Sequence, residues 1–329
     1  MKECAMTTSD SSPRSTETPL AGLKLHAAFE AAWPEIKALR NRAAFLTASI
    51  TTVLTACVIW LTIETKEAFF LPALFFPAFA VFWGNRYVQQ EVFKKLTPSL
   101  AAAVGSEHGA DDSSADEVGL PKGLLPHFNR METKNAFTGV LDQSPFLSVE
   151  VTVQDKLENA VEGSSRVTRA TTYFVGLCVV VTNLPRADPL VVTKEAKGLF
   201  GTGPLLSDTA LKRQMNELTE HKLKKVEPNA THASDLNLYI PKTSEGLSPE
   251  AQDFLRRLTR VERLLAKKDR LYSAVRTDHE AAIAIMTRRS LSSLGGLLTT
   301  RQKLLTQMDR ALQDLAWPFR LVEAIIERD

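Results

Sequence analysis

The chain has 329 residues, 44% hydrophobic and 24% charged, with a formal net charge of +2. That composition excludes a wholly disordered chain, and the near-neutral balance gives no case for a nucleic-acid partner. Its three cysteines, Cys4, Cys57 and Cys178, show no CxxC or Cys/His spacing, so neither a disulfide framework nor a zinc site is supported, and free thiols suit a reducing compartment.

Residues 1–21 are rich in Ser and Thr and read as a disordered tail. No apolar core follows the early lysine, so the tail is not a signal peptide. Ala43 to Ile63 is then apolar or small on every helical face, with a few threonines. About twenty such residues, at roughly 1.5 Å each, cross a hydrocarbon core of about 30 Å. A second, shorter run spans 68–84 and is rich in Phe, with Pro72 and Pro77 as kink sites and Trp60 and Trp83 near the ends of the runs. Between them lies ETKE, Glu64 to Glu67, a water-exposed turn that makes the two runs a helical hairpin. Lys37, Arg40 and Arg42 precede the first run, and Arg86, Lys94 and Lys95 follow the second. By the positive-inside rule both outer ends are cytoplasmic and ETKE faces the opposite side.

Outside the bilayer the helices are expected to continue. Leu25, Phe29, Ala32, Ile36 and Leu39 form one apolar stripe, and Val88, Val92, Leu96, Leu100 and Val104 another. Two such stripes can zip into an antiparallel stalk or dock on a soluble domain. Pro34 argues against an ideal upstream helix. The hairpin region is bounded at 22–104. Residues 105–121 follow as an acidic linker, with five acidic residues and no basic one in Gly105 to Gly119. His108 sits among those carboxylates, but the spacing matches no calcium loop.

From 122 to 329 the pattern mixes strands and helices without a βαβα rhythm, which gives an α+β domain. Strands are expected at Asn135 to Leu141, Phe146 to Val153, Thr171 to Asn183, Pro189 to Thr193 and Asp235 to Pro241. TTYFVGLCVVVTN, starting at Thr171, is too short and too β-branched for a third span and reads as a buried central strand. KGLFGTGP, Lys197 to Pro204, precedes a polar helix near Ser207; it matches neither a P-loop nor GxGxxG and reads as a connection. Ser248-Pro249-Glu250 opens a helix with a capping serine and an early proline. In it Phe254, Leu258, Val261 and Leu265 form an apolar stripe. Arg256, Arg260, Arg263 and Lys267 form a cationic one, roughly opposite at about 100° per residue. That cationic face is either solvated or the binding site for an acidic partner or anionic lipid. Leu271 to Thr277 and Ala281 to Thr287 read as a hairpin whose turn, Thr277 to Glu280, carries His279 beside two acids. A final amphipathic helix from Leu297 to Arg328 should be interrupted at Pro318.

The order of these segments resembles a family of bacterial membrane proteins, domain of unknown function 3137. The resemblance spans about His26 to Ile326. HAAFEAAWPEIKALR, the hairpin, NRYVQQEVFKKLTPSL, TTYFVGLCVVVTNLP and DLNLYIPKTSEGLSPEAQDFLRRL carry it, with RLYSAV and EAAIAI beyond. Leu157 to Arg169 is shorter than the polar stretch common in that family. The resemblance implies a two-span protein of the bacterial inner membrane with cytoplasmic N-terminus and C-terminal domain, and a role in a membrane complex. It implies no active residues.

The function expected on these grounds is a membrane-anchored cytosolic interaction or scaffold module, with the lipid bilayer and a protein as partners and self-association open. No catalytic, cofactor or metal residue is expected, since GxSxG, HExxH, paired CxxC and P-loop motifs are all lacking. Two alternatives remain. One is a membrane-surface enzyme whose six histidines and scattered carboxylates converge in space. The other is an oligomeric transporter or channel lined by Thr51, Thr52 and Thr55.

Overall fold

The structure is a computed structural model and describes residues 18–65, 75–109, 119–121, 123–126, 130–158, 168–194, 216, 220, 222–226, 236–287 and 294–327. The chain forms two compact units. One comprises Met1–Val104 with Gly295–Asp309, the other Gly105–Leu294 with Arg310–Asp329.

The first unit is helical. Helix α1 runs Thr18–Thr65 and α2 runs Phe75–Ala103. The 48 residues of α1 make a rod of about 72 Å, more than twice a hydrocarbon core. It begins within the segment expected as tail. It also runs on through Pro34, the residue that argued against an ideal helix here. A proline there removes one backbone hydrogen bond, but Phe29 and Ile36 on either side are fully buried, and packing outweighs the loss. The two helices lie antiparallel. Lys95 pairs with Glu35, and a Cβ added at Gly84 would come within 2.3 Å of the Thr47 hydroxyl oxygen. Phe29 and Ile36 from α1, and Val88, Val92, Leu96 and Leu100 from α2, are at most 1% exposed, so the apolar stripes meet as a stalk within this unit. Contributing from far along the chain, Leu304 and Met308 are also buried.

Beyond the stalk the pattern reverses. Among the described residues one helical stretch, His26–Glu64, is long and apolar enough to cross a membrane, and only 11% of its most apolar window is buried. Phe45, Leu46, Ile50, Val53, Ile59, Trp60 and Ile63 all face outward on α1, as do Phe79, Val81, Phe82 and Trp83 on α2. Glu64 and Thr65 close α1, whereas Lys66, Glu67 and the first part of the second apolar run lie outside the described residues.

The second unit is built on one antiparallel sheet of nine strands: β1 Ser106–His108, β2 Arg130–Leu141, β3 Ser144–Glu158, β4 Thr168–Val181, β5 Leu190–Lys194, β6 Leu223–Val226, β7 Leu236–Pro241, β8 Arg270–Arg276 and β9 Ala281–Met286. Their order is β1-β2-β3-β4-β9-β8-β5-β7-β6. Helix α3, Pro249–Leu264, and the C-terminal part of α4, Arg301–Ile326, supply Phe254, Leu258, Val261, Trp317, Leu321 and Ile325 to the core on one face. On the other, Leu124 and Leu125 join Val149, Phe174, Cys178 and Tyr272. Cores on both faces explain the unbroken apolar run of β4. Leu177, Val179 and Val181 point to the first core, Cys178 and Val180 to the second. Burial accordingly pushes the Cys178 thiol up, which keeps it protonated and inert.

Three expectations change in this unit. The first residues of the acidic segment are an edge strand, because Ser106, Glu107 and His108 pair with Gly139, Thr138 and Phe137. Strand β6 was not foreseen: LKKV is too short and too charged to show a burial pattern. Helix α4 continues through Pro318, since Trp317, Leu321 and Val322 around it are anchored in the core. The segment Lys197 to Pro204 and the helix expected near Ser207 lie outside the described residues.

Strand β4 also holds a glycine that its neighbour requires. A Cβ on Gly176 would come within 2.0 Å of the Ile285 carbonyl oxygen on β9. Gly176→Ala is therefore expected to destabilise the protein by about 2 kcal/mol, read as a lowered denaturation midpoint.

Candidate functional site

The site starts from a helix cap. Ser248 has extended backbone and its hydroxyl accepts from the Ala251 amide at 3.3 Å, with Pro249 in the first turn of α3. This start sets the phase of the helix. Phe254, Leu258 and Val261 turn inward, and Asp253 and Arg257 emerge one turn apart on its flank.

Arg257 joins two elements. One nitrogen donates to Asp253, and another donates to the carbonyls of Ile325 at 2.6 Å and Ile326 at 3.1 Å. Those are the last carbonyls of α4, left without partners in any helix and carrying the negative end of its dipole. Arg276, at the end of β8, folds back on the β8–β9 turn. It donates to the carbonyls of Thr277 and Glu280, each at 2.8 Å, and to that of Pro185. The segment from Leu184 to Ala187 is fastened to the same turn by amides donating to the His279 carbonyl at 2.9 Å and the Asp278 carbonyl at 3.0 Å.

These elements enclose a cleft of about 390 Å³. Four guanidinium groups line it, Arg186, Arg256, Arg257 and Arg276, against the carboxylates of Glu250 and Asp253. Two positive charges are in excess. The lining also includes Leu184, Phe254 and Ile325, so the cleft is amphipathic. Burial and then repulsion from Arg257 push Arg276 below the usual arginine range, with Asp278 opposing. Two partly buried cations thus face one another at a place where an anion would lower the energy of both. The outer arginines are more accessible. Arg186 is exposed, and Arg256, with its side chain 62% exposed, stands 3.6 Å from Asp253.

Of the four cations expected on this helix, Arg256 alone lines the cleft. Arg260 is half-buried, Arg263 is exposed in the last turn, and Lys267 lies past the end of α3 in the turn before β8, off the helical stripe. Sequence periodicity missed Arg186, Arg257 and Arg276, because their convergence depends on three elements far apart in the chain. The TDHE turn serves Arg276 through its carbonyls, and the His279 ring nitrogen Nδ1 lies 3.0 Å from the Leu184 carbonyl. Among the described residues no group of three or more His, Cys, Asp or Glu could hold a metal. His108, the candidate within the acidic segment, packs against Phe137 with ring centroids 5.1 Å apart and planes tilted by 60°.

Glu280 in the same turn has its carboxyl raised by burial. A raised folded-state value means the stability it confers is complete below the unfolded value, about 4.3, and is lost as pH rises through the folded one. Glu280→Gln is expected to raise the unfolding temperature at pH 7 and leave it unchanged at pH 4, which a pair of melting curves would check.

No family model matches this chain, and neither does any curated protein. Among solved structures, the crystal structure of the mycobacterial trehalose monomycolate transport factor A is similar over 73% of this chain and 98% of that one. At 11% identity and a TM-score of 0.34, the likeness is too slight to carry fold or function from one chain to the other.

Proposed function

We propose that this protein is a membrane-anchored interaction module. The apolar runs 43–63 and 68–84 are the two spans of a helical hairpin. Both of its outer ends and the sheet unit are cytoplasmic, as in the domain of unknown function 3137 family that its segment order resembles. The observation that carries the anchor is the outward-facing apolar band on α1 and α2, which a soluble helix pair would bury. The hydroxyls of Thr52 and Thr55 donate back to the carbonyls of Ala48 and Thr51, at 2.9 and 2.8 Å, which satisfies their protons within the helix and suits hydrocarbon.

The arginine cleft specifies the partner's chemistry. It receives an acidic side chain of a second protein. Arg186 and Arg256 are its accessible cations, whereas Arg257 and Arg276 are occupied in holding the fold. The test is purification of the tagged full-length protein from its native membranes in gentle detergent, with mass spectrometry of what co-elutes. A stoichiometric protein retained by the unaltered chain and lost from the Arg186→Glu/Arg256→Glu variant is expected. The same partner held equally by both would overturn the cleft as the docking site.

A further inference from the structure

The C-terminal chain returns to α1 and α2 at one level, Gly84 to Gln89, where the second apolar run ends. Three contacts fix it there, and two more hold the turn's own shape. The Leu297 amide donates to Asn85 Oδ1 at 3.0 Å, and Arg40 donates to the Leu297 carbonyl at 3.2 Å. Gln89 donates to the Gly295 carbonyl at 3.4 Å, while the Gly295 amide donates to Gln307 at 3.0 Å. The Thr299 amide closes the turn on the Gly296 carbonyl at 3.2 Å. Gly295 and Gly296 have φ of +78° and +148°, and a Cβ on Gly296 would press on Asn85 Oδ1 at 2.7 Å. The turn is therefore built to lie against the helices. Leu297 is buried toward Gly84, yet Leu298, the next residue, is 89% exposed.

An outward leucine on a turn held this firmly calls for an apolar surrounding. Trp83 and Tyr87, at the same level of α2, are 61% and 53% exposed, and the guanidinium of Arg86 lies 6.0 Å from the Trp83 ring. Aromatic rings beside cations, at the end of an apolar run, are the pattern of a membrane–water interface. Leu298 adds an exposed apolar side chain beside a helix level that already exposes Trp83 and Tyr87, and the amides and carbonyls of Gly295 and Leu297 are engaged in hydrogen bonds.

We propose that the turn Gly295 to Thr299 is a second membrane contact, in which Leu298 enters the headgroup–acyl boundary of the cytoplasmic leaflet beside Trp83 and Tyr87. This rests on the hairpin reading above. It makes the turn a fixed point at the bilayer surface.

The test places an environment-sensitive fluorophore on single cysteines in full-length protein reconstituted into vesicles of phosphatidylethanolamine and phosphatidylglycerol. Cys4 and Cys57 are replaced by serine, and Cys178 is buried and inert. Labels go at Leu298→Cys, at Val53→Cys as the bilayer reference and at Lys303→Cys as the aqueous one. All three positions are exposed, so the fold tolerates them. Lipids with a spin label high on the acyl chain are expected to quench position 298 at least twofold more than position 303. Quenching at 53 with none at 298 would overturn the second contact and leave the anchor standing. Position 298 shielded from an aqueous quencher but untouched by spin-labelled lipid would assign the leucine to a protein surface instead, and also overturn it. Absence of quenching at 53 would remove the anchor and this inference together.

Discussion

Val53→Asp is expected to abolish stable residence in the membrane. Val53 lies at the middle of the first apolar run and its surface is 61% exposed. On a soluble helix an outward valine is replaceable at a cost under about 0.5 kcal/mol. In the centre of a bilayer an aspartate costs about 2.5–3.5 kcal/mol on insertion scales, which is roughly a hundredfold in the partition equilibrium. Thr51, Thr52 and Thr55 already weaken the run, so it has little reserve to absorb that loss. Ile50 is exposed as well, and the double variant Ile50→Asp/Val53→Asp doubles the penalty. The readout is the share of protein that resists alkaline carbonate extraction. A Val53→Asp protein that stays in the pellet like the parent would count against the anchor.

The second large effect separates two adjacent residues. Arg257→Ala is expected to cost about 3 kcal/mol of stability, because it strips donors from the end of α4 and leaves Asp253 short of its closer partner. Relief of the repulsion on Arg276 offsets a small part of that. Arg257→Lys recovers under half, since an ammonium cannot reach Asp253 and two carbonyls as a planar fork does. Arg256→Ala is expected to cost no more than about 0.5 kcal/mol, as an exposed i,i+3 pair does. Thermal unfolding of the purified protein reads all three. If Arg256→Ala melted as low as Arg257→Ala, the division between the cleft's structural floor and its accessible rim would fail.

What could be read in the residues is what depends on local pattern. The β4 run, the β8–β9 hairpin, the serine cap of α3 and the two stalk stripes are spacings within a few turns or a single strand, and each sits where its periodicity put it. The prolines misled because their cost is local while the burial that outweighs it is not: Pro34 lies between Phe29 and Ile36, and Pro318 between Trp317 and Leu321. Strand β1 was hidden in an acidic segment because its pairing with β2 is a property of the partner edge. The cleft was legible only through Arg256. Arg257 reads as one more charge on a helix until the carbonyls of Ile325 and Ile326 are set beside it. Arg40 likewise reads as a flanking charge of the membrane run, and its bond to Leu297 spans 257 residues.

The proposed hairpin anchor puts the sheet unit on the cytoplasmic side. Its most direct test is labelling of single cysteines by a membrane-impermeant maleimide on intact spheroplasts, with Glu64→Cys at the end of α1 and Arg263→Cys on α3. Rapid labelling is expected at position 64 on intact spheroplasts, and labelling at 263 only after lysis. Labelling of 263 on intact cells, or of neither position until lysis, would contradict it.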